Sequence, residues 1–389
     1  MIGSSSSSSK RRRIGSEPSW ASLSQDLVEL IGWRVLAGDL LDYVRFRAVC
    51  THWNSSTVSP RGRGLIDPRF HPRRWMLFPE DHGLYPGHPN LGGYVRFFNL
   101  STGAFVRVYL PLFDDHVVLD STDGLLVVLR HPNTAVRILH PFTGDIADLP
   151  PVFPLLPQIN PHICRYMTEE MKLRELDAAF LKGVCAAVSV DAAGAITVML
   201  GLDSKRRVAY ATAGCERWSL SPWTLPRLRA LHVSFEGKLY ISAVNSADEN
   251  NIYICQIDPP RVSDEGYQSL PEPRMLVKCP LDGPLGTAHL VQCGSELMLA
   301  GFSDTSLAHL AVYRVSDLIK GTVLPMKDIG DHAIFFEVHG LCVSAKGFPS
   351  ILGNSIICKH RSGELVETFN PDPRLERRPV LPARPRIDQ

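Results

Sequence analysis

The chain has 389 residues, 44% hydrophobic and 21% charged, which is enough apolar material for at least one large core. A formal net charge of +1 excludes a global attraction to nucleic acid or to an anionic membrane. No apolar run is long enough to span a bilayer, and the nine cysteines contain no C-x-x-C pair.

Residues 1–18 combine a serine run with the basic cluster Lys10, Arg11, Arg12 and Arg13. Such a segment buries too little apolar surface to offset its ordering entropy, so a disordered tail is expected. The basic cluster fits a nuclear import signal or a solvated tail. With no apolar segment behind the charges, a secretory signal is not expected, and the protein is expected in the nucleus, the cytoplasm or both.

From about residue 19 to 60 the pattern is helical. Ser24 or Asp26 is placed to cap a first helix carrying the stripe Leu27, Leu30, Ile31 and Val35, and Gly38 ends it. Asp39 is placed to cap a short turn with Leu40 and Leu41. In a third helix, Phe46, Val49, Cys50 and Trp53 fall on one face. Three short helices in some forty residues make a unit that needs a partner or a neighbouring domain for stability.

From Trp75 the grammar is that of antiparallel strands. Runs such as 94–98, 105–109, 125–129, 136–139, 239–241, 297–300 and 311–315 alternate with the turn signals Gly103, Asp123-Gly124, Gly144, Glu236-Gly237 and Gly294-Ser295. A loose unit recurs, ending in Leu149-Pro150, Leu225-Pro226, Asp258-Pro259 or Leu270-Pro271. Small sheets repeated in this way indicate a β-propeller over 61–370, with a blade number that the degenerate repeat does not reveal. Residues 168–181 read as a helical insertion between blades, and 371–389 as a second extended tail of alternating proline and arginine.

The segment Trp20-Ala-Ser-Leu23-Ser-Gln-Asp26-Leu27 to Ile31, followed by Val44-Arg45-Phe46-Arg47-Ala48-Val49-Cys50-Thr-His-Trp53, resembles a plant-type F-box. The remainder resembles the KIB-type β-propeller of plant F-box proteins. That likeness rests on Phe235–Tyr240, Gly294–Leu299 with Ala311–Val315, and Asp328–Phe335 running to Gly353–Cys358. The resemblance implies a mainly β protein with an N-terminal three-helix F-box, acting as the substrate-recognition subunit of a Skp–cullin–F-box ubiquitin ligase. By motif position, Leu23, Asp26, Leu27, Ile31, Val44, Val49, Cys50 and Trp53 would meet a Skp-type adaptor, and through it a cullin, while the propeller would hold a protein substrate. Two positions depart from the pattern. Ser24 stands where the family has proline and Asn54 where it has a basic residue.

Other chemistries find less support. No G-x-S-x-G, H-E-x-x-H or phosphate-binding glycine motif is present, so neither catalysis nor a cofactor is expected. Zinc at His339, Cys342, Cys358 and His360 is disfavoured, because H-x-x-C puts its pair on opposite faces of a strand. An odd number of scattered cysteines, most of them in apolar runs, reads as buried free thiols in a reducing compartment. Trp218 and Trp223 read as packing residues. The alternatives are a propeller hydrolase using carboxylates near its channel, and a binding protein whose degenerate F-box recruits no ligase.

Overall fold

The computed structural model describes residues 20–78, 92–131, 133–159, 165–172, 184–202, 206–225, 229–244, 251–262, 268–280, 287–302, 310–336, 340–359 and 365–367. The chain divides into two compact units, Met1–Pro60 and Arg61–Gln389.

The first unit holds α1 (Gln25–Gly38), α2 (Leu40–Arg47) and α3 (Thr51–Ser55). Asp39 starts α2 as expected, its carboxylate accepting from the amides of Leu41 and Asp42 at 2.8 and 3.2 Å. The expected third helix is not continuous. Arg47 closes α2, the chain turns at Ala48, and Cys50 caps α3, its sulfur accepting from the Trp53 amide. The face spacing survives this break because the rings of Phe46 and Trp53 still stack, 4.4 Å apart.

The inward face of α1 also differs from the expected stripe. Val28, Gly32 and Leu36 point in, while Leu27 and Leu30 point out. The cause lies at Gly32, where an added Cβ would stand 3.0 Å from Thr57 and 3.4 Å from both Phe46 and Tyr43. Its missing side chain lets α1 approach the other helices, so the smallest residue, which apolar periodicity overlooks, selects the buried face.

The second unit is mainly β. Among the described residues, six sheets of three or four strands follow one another along the chain, with a seventh, two-stranded one as an excursion from the fourth. The first comprises β1 (Trp75–Phe78), β2 (Tyr94–Asn99) and β3 (Phe105–Tyr109), and the second β4 (His116–Thr122), β5 (Leu125–Arg130), β6 (Ala135–Leu139) and β7 (Ile146–Pro151). The third has β8 (Val184–Val190), β9 (Ile196–Leu202), β10 (Arg207–Thr212) and β11 (Ser219–Leu220). In the fourth, β12 (Arg229–Phe235), β13 (Lys238–Val244) and β14 (Asn251–Ile257) are joined by β17 (Arg274–Pro280), after a small excursion through β15 (Arg261–Val262) and β16 (Gln268–Ser269). The fifth is β18 (Thr287–Cys293), β19 (Glu296–Phe302) and β20 (Leu310–Arg314). The sixth contains β21 (His332–Phe336), β22 (Gly340–Ser344), β23 (Ser355–Lys359) and β24 (Leu365–Glu367) in the order β22-β21-β23-β24, with β21 and β23 parallel.

Alternation along the strands builds the cores between these sheets. In β8, Val184, Ala186 and Val188 face the second sheet, while Cys185 and Ala187 face the fourth. In β19, Leu297 and Leu299 pack towards the fourth sheet, and Met298 and Ala300 towards the sixth. Strands buried on both faces become unbroken apolar runs, which is why the sequence shows Leu125–Leu129 rather than strict alternation. Polar side chains also tie successive sheets to one another. Asp120 of β4 accepts from the Ala186 amide at 2.6 Å, and Ser242 donates to the Ala288 carbonyl at 2.9 Å. The ring closes where the Ser344 amide donates to the Leu100 carbonyl at 3.1 Å and Phe98 meets Phe348 with centroids 5.2 Å apart.

The two-residue turns at Asp123-Gly124 and Glu236-Gly237 have φ of 52° and 80°, and of 50° and 71°, the left-handed pair that a tight hairpin with native twist requires. Of the expected helical insertion, residues 169–172 are helical and 173–181 lie outside the described residues.

Candidate functional site

The apolar surface of the helical unit is the first candidate. Its own core is small, with Val28, Leu36, Leu40 and Tyr43 buried. The Tyr43 hydroxyl donates to the Val58 carbonyl at 2.7 Å, and an imidazole nitrogen of His52 lies 2.8 Å from the Leu23 carbonyl, so the two ends of the unit are tied. Those anchors free other side chains from packing. Leu27, Leu30, Val44 and Val49 are 48, 63, 43 and 62% exposed, and Trp20 is exposed as well. Isolated exposed leucines are ordinary, but five large apolar side chains turned outward in a unit this small are an unfilled surface.

Of the sequence-derived adaptor residues, Leu27, Val44, Val49 and the carboxylate-bearing Asp26 lie exposed, and Leu23, Ile31, Cys50 and Trp53 are half-buried. Cys50 is occupied in starting α3, and the Trp53 indole donates to the Trp20 carbonyl at 3.3 Å. Leu30 and Trp20, though within the F-box-like segment, were not among the adaptor residues expected from it. Leu30 was nonetheless legible, since it follows Leu27 by three residues on the same helix. The departures from the motif have local consequences. Ser24 makes no side-chain cap to α1, and Asn54 is held by Arg47, which donates to its carbonyl and side-chain oxygens at 3.2 and 3.0 Å. The basic cluster Lys10–Arg13 lies outside the described residues.

The propeller offers an aromatic face on its first sheet. The Arg96 guanidinium sits 5.5 Å from the centre of the Phe78 ring and 5.8 Å from that of Phe105, a cation–π sandwich. Tyr94 and Tyr109, with centroids 5.1 Å apart, extend it, and all four rings are exposed. Trp218 and Trp223 face inward instead. Trp218 is buried between the second and third sheets and donates to the Pro150 carbonyl at 2.7 Å, while Trp223 packs on the core between the third and fourth.

The cysteines require a correction. Cys50, Cys185, Cys215 and Cys255 are free, with Cys215 exposed, but Cys293 and Cys342 form a disulfide. Spacing did not reveal it because the partners come from different sheets, β18 and β22, which meet across the core between the fifth and sixth. The same placement separates Cys342 from the zinc ligand set considered above, since β21 lies between β22 and β23. His339, His360 and the side chain of Cys358 lie outside the described residues.

Residues 97–371 match the KIB1-4 β-propeller family. The chain belongs to that family. The KIB1-4 propeller match covers the sheets from within β2 onward and leaves the helical unit outside it. No curated protein matches the chain. Among solved structures, the β-propeller domain of Cps50 (Swd1) from Myceliophteria thermophila aligns at 11% identity and a TM-score of 0.29, over 72% of this chain and 74% of that one. The N-terminal domain of Nup159 aligns at 9% identity and a TM-score of 0.21, over 71% and 70%. Among the described residues no helix of this KIB1-4 propeller protein is long and apolar enough to cross a membrane.

Proposed function

We propose that the protein is the substrate-recognition subunit of a Skp–cullin–F-box ubiquitin ligase, working in the nucleus, the cytoplasm or both. The helical unit docks on a Skp-type adaptor and the propeller holds a protein target. The observation that carries this reading is the outward set Leu27, Leu30, Val44 and Val49 in a three-helix unit whose sequence resembles an F-box. A forty-residue unit with so small a core gains most by burying that surface against a partner. The protein itself transfers nothing. Its contribution is proximity, since it holds a lysine-bearing target beside the charged ubiquitin-conjugating enzyme. The aromatic face around Arg96 suits target binding, because exposed tyrosines and arginine supply contact area at low entropic cost.

The test is a pull-down of the full chain with a purified Skp-type adaptor, beside the double variant Leu27→Asp/Val49→Asp. Both side chains are exposed, so the variant keeps its fold by circular dichroism, and adaptor capture falls at least tenfold. Failure of the folded wild type to bind would sink the ligase reading and leave a propeller binding protein with a degenerate F-box.

A further inference from the structure

Cys293 and Cys342 are accompanied by a third metal-ligating group. The two sulfurs and an imidazole nitrogen of His332 lie within 4.8 Å of one another, with Cys293 buried and the other two half-buried. Strand register explains the convergence. In the β21–β22 pair, His332 stands opposite Ser344 and Ile334 opposite Cys342, so His332 and Cys342 are diagonal neighbours on one face. Cys293, the last residue of β18 before its hairpin turn, reaches that face from the fifth sheet. The backbone bears on the tautomer of His332. Its Nδ1 lies 3.1 Å from the Ile329 carbonyl, which can only accept, so Nδ1 carries the proton and Nε2 the lone pair. A backbone carbonyl that fixes the imidazole tautomer is the usual outer support of a metal-binding histidine.

We propose that Cys293, Cys342 and His332 form a redox-gated zinc site at the seam between the fifth and sixth sheets. Oxidised, the two sulfurs staple the sheets covalently. A dithiol reductant, or two thiol molecules in turn, breaks the S–S bond, becoming a disulfide and delivering two electrons and two protons to give two thiols. Zinc then displaces the two thiol protons and binds both thiolates and the neutral imidazole, giving a site with no net charge. Two thiolates and an imidazole are the donor set of a borderline-soft ion in tetrahedral geometry, with the fourth position open to water on the half-buried side. Zn–S bonds of about 2.3 Å place tetrahedral sulfurs about 3.8 Å apart. Side-chain rotation supplies that separation from backbones whose Cα atoms stand 5.4 Å apart. The same seam is therefore held in both redox states, by a bond in one and by an ion in the other.

The experiment uses the full chain, metal-free, reduced with a phosphine that does not chelate and titrated with cobalt(II) as a spectroscopic substitute for zinc. Reduced wild type takes up one equivalent, with the intense near-ultraviolet absorption of thiolate-to-cobalt charge transfer, and the oxidised chain shows none. Cys293→Ser and Cys342→Ser abolish the band. His332→Gln, which leaves both sulfurs in place, weakens binding at least tenfold, and Cys215→Ser, at an exposed free thiol, changes nothing. The proposal is overturned if the folded, reduced wild type shows no band, if the oxidised chain binds equally, or if His332→Gln keeps wild-type affinity. The last comparison decides the matter even where the serine variants do not fold.

Discussion

Three glycines in left-handed turns separate backbone strain from close approach. At Gly144, with φ 76°, a Cβ would meet nothing within 4 Å. At Gly237, with φ 71°, it would stand 3.0 Å from the Val188 carbonyl oxygen, and at Gly124, with φ 80°, only 2.1 Å from that of Pro72. Substitution by alanine costs about 1–2 kcal/mol at all three for the left-handed conformation. At Gly124 the Pro72 carbonyl is fixed by the Trp75 amide, which donates to it at 2.8 Å, so the neighbour has little freedom to withdraw. Overpacking then adds about 1–3 kcal/mol. Urea midpoints at constant m-value would therefore fall in the order Gly144→Ala, Gly237→Ala, Gly124→Ala, with the last losing about 2–5 kcal/mol in all. Equal losses across the three would refute the claim that the segment before β1 is pressed onto the β4–β5 hairpin.

The helical unit yields a second contrast. Val28→Ala, at a wholly buried position, lowers its stability by about 1–3 kcal/mol, whereas Leu30→Ala stays within about 0.5 kcal/mol, as read by hydrogen exchange of the α1 amides. Histidine burial sets the acid response of the propeller. Burial pushes the His140 pKa below its ordinary value, against the hydrogen bond to the Phe70 carbonyl, and burial likewise depresses His71. The His140 ring is used on both sides as the neutral form, with Nε2 donating to Phe70 at 3.0 Å and Nδ1 accepting from the Thr143 amide at 3.1 Å. The unfolded chain therefore binds more protons. Stability is full above about pH 6.5 and declines below it, by up to about 1.4 kcal/mol per pH unit for each histidine. Chemical denaturation between about pH 7 and 5 measures the slope, and His140→Gln should flatten it. A stability that rises on acidification would refute the assignment.

What the sequence disclosed and what it withheld follow from the range of the interactions. The hairpins of the second and fourth sheets were legible because turn chemistry is local. Asp123-Gly124 and Glu236-Gly237 mark left-handed pairs, and β5 and β13 lie beside them at the expected places. The helices of the first unit were legible in number, through the Asp39 cap and the Gly38 stop, but not in orientation, because the buried face of α1 depends on what Gly32 meets across the unit. The pairing of Cys293 with Cys342 was out of reach for a stronger reason. It depends on which strands of neighbouring sheets face each other, and on the parallel insertion of β23 beside β21, neither of which leaves a periodic trace. Of the outward apolar side chains of this unit, Leu27, Val44 and Val49 came from motif order, whereas the exposure of Trp20 was not read from spacing.

The closing contact of the ring, Ser344 to Leu100, joins the two ends of the domain's sequence. During synthesis the first sheets leave the ribosome with their sealing partner still unmade. At ordinary elongation rates, roughly ten to fifty seconds pass between translation of Leu100 and translation of Ser344. Throughout that interval the nascent protein carries an open rim, on which Phe98 waits for Phe348. A ring built this way is exposed to chaperones, and to misjoining with neighbouring nascent chains, at one defined place. Ribosome-paused intermediates should aggregate through that rim until the sixth sheet arrives.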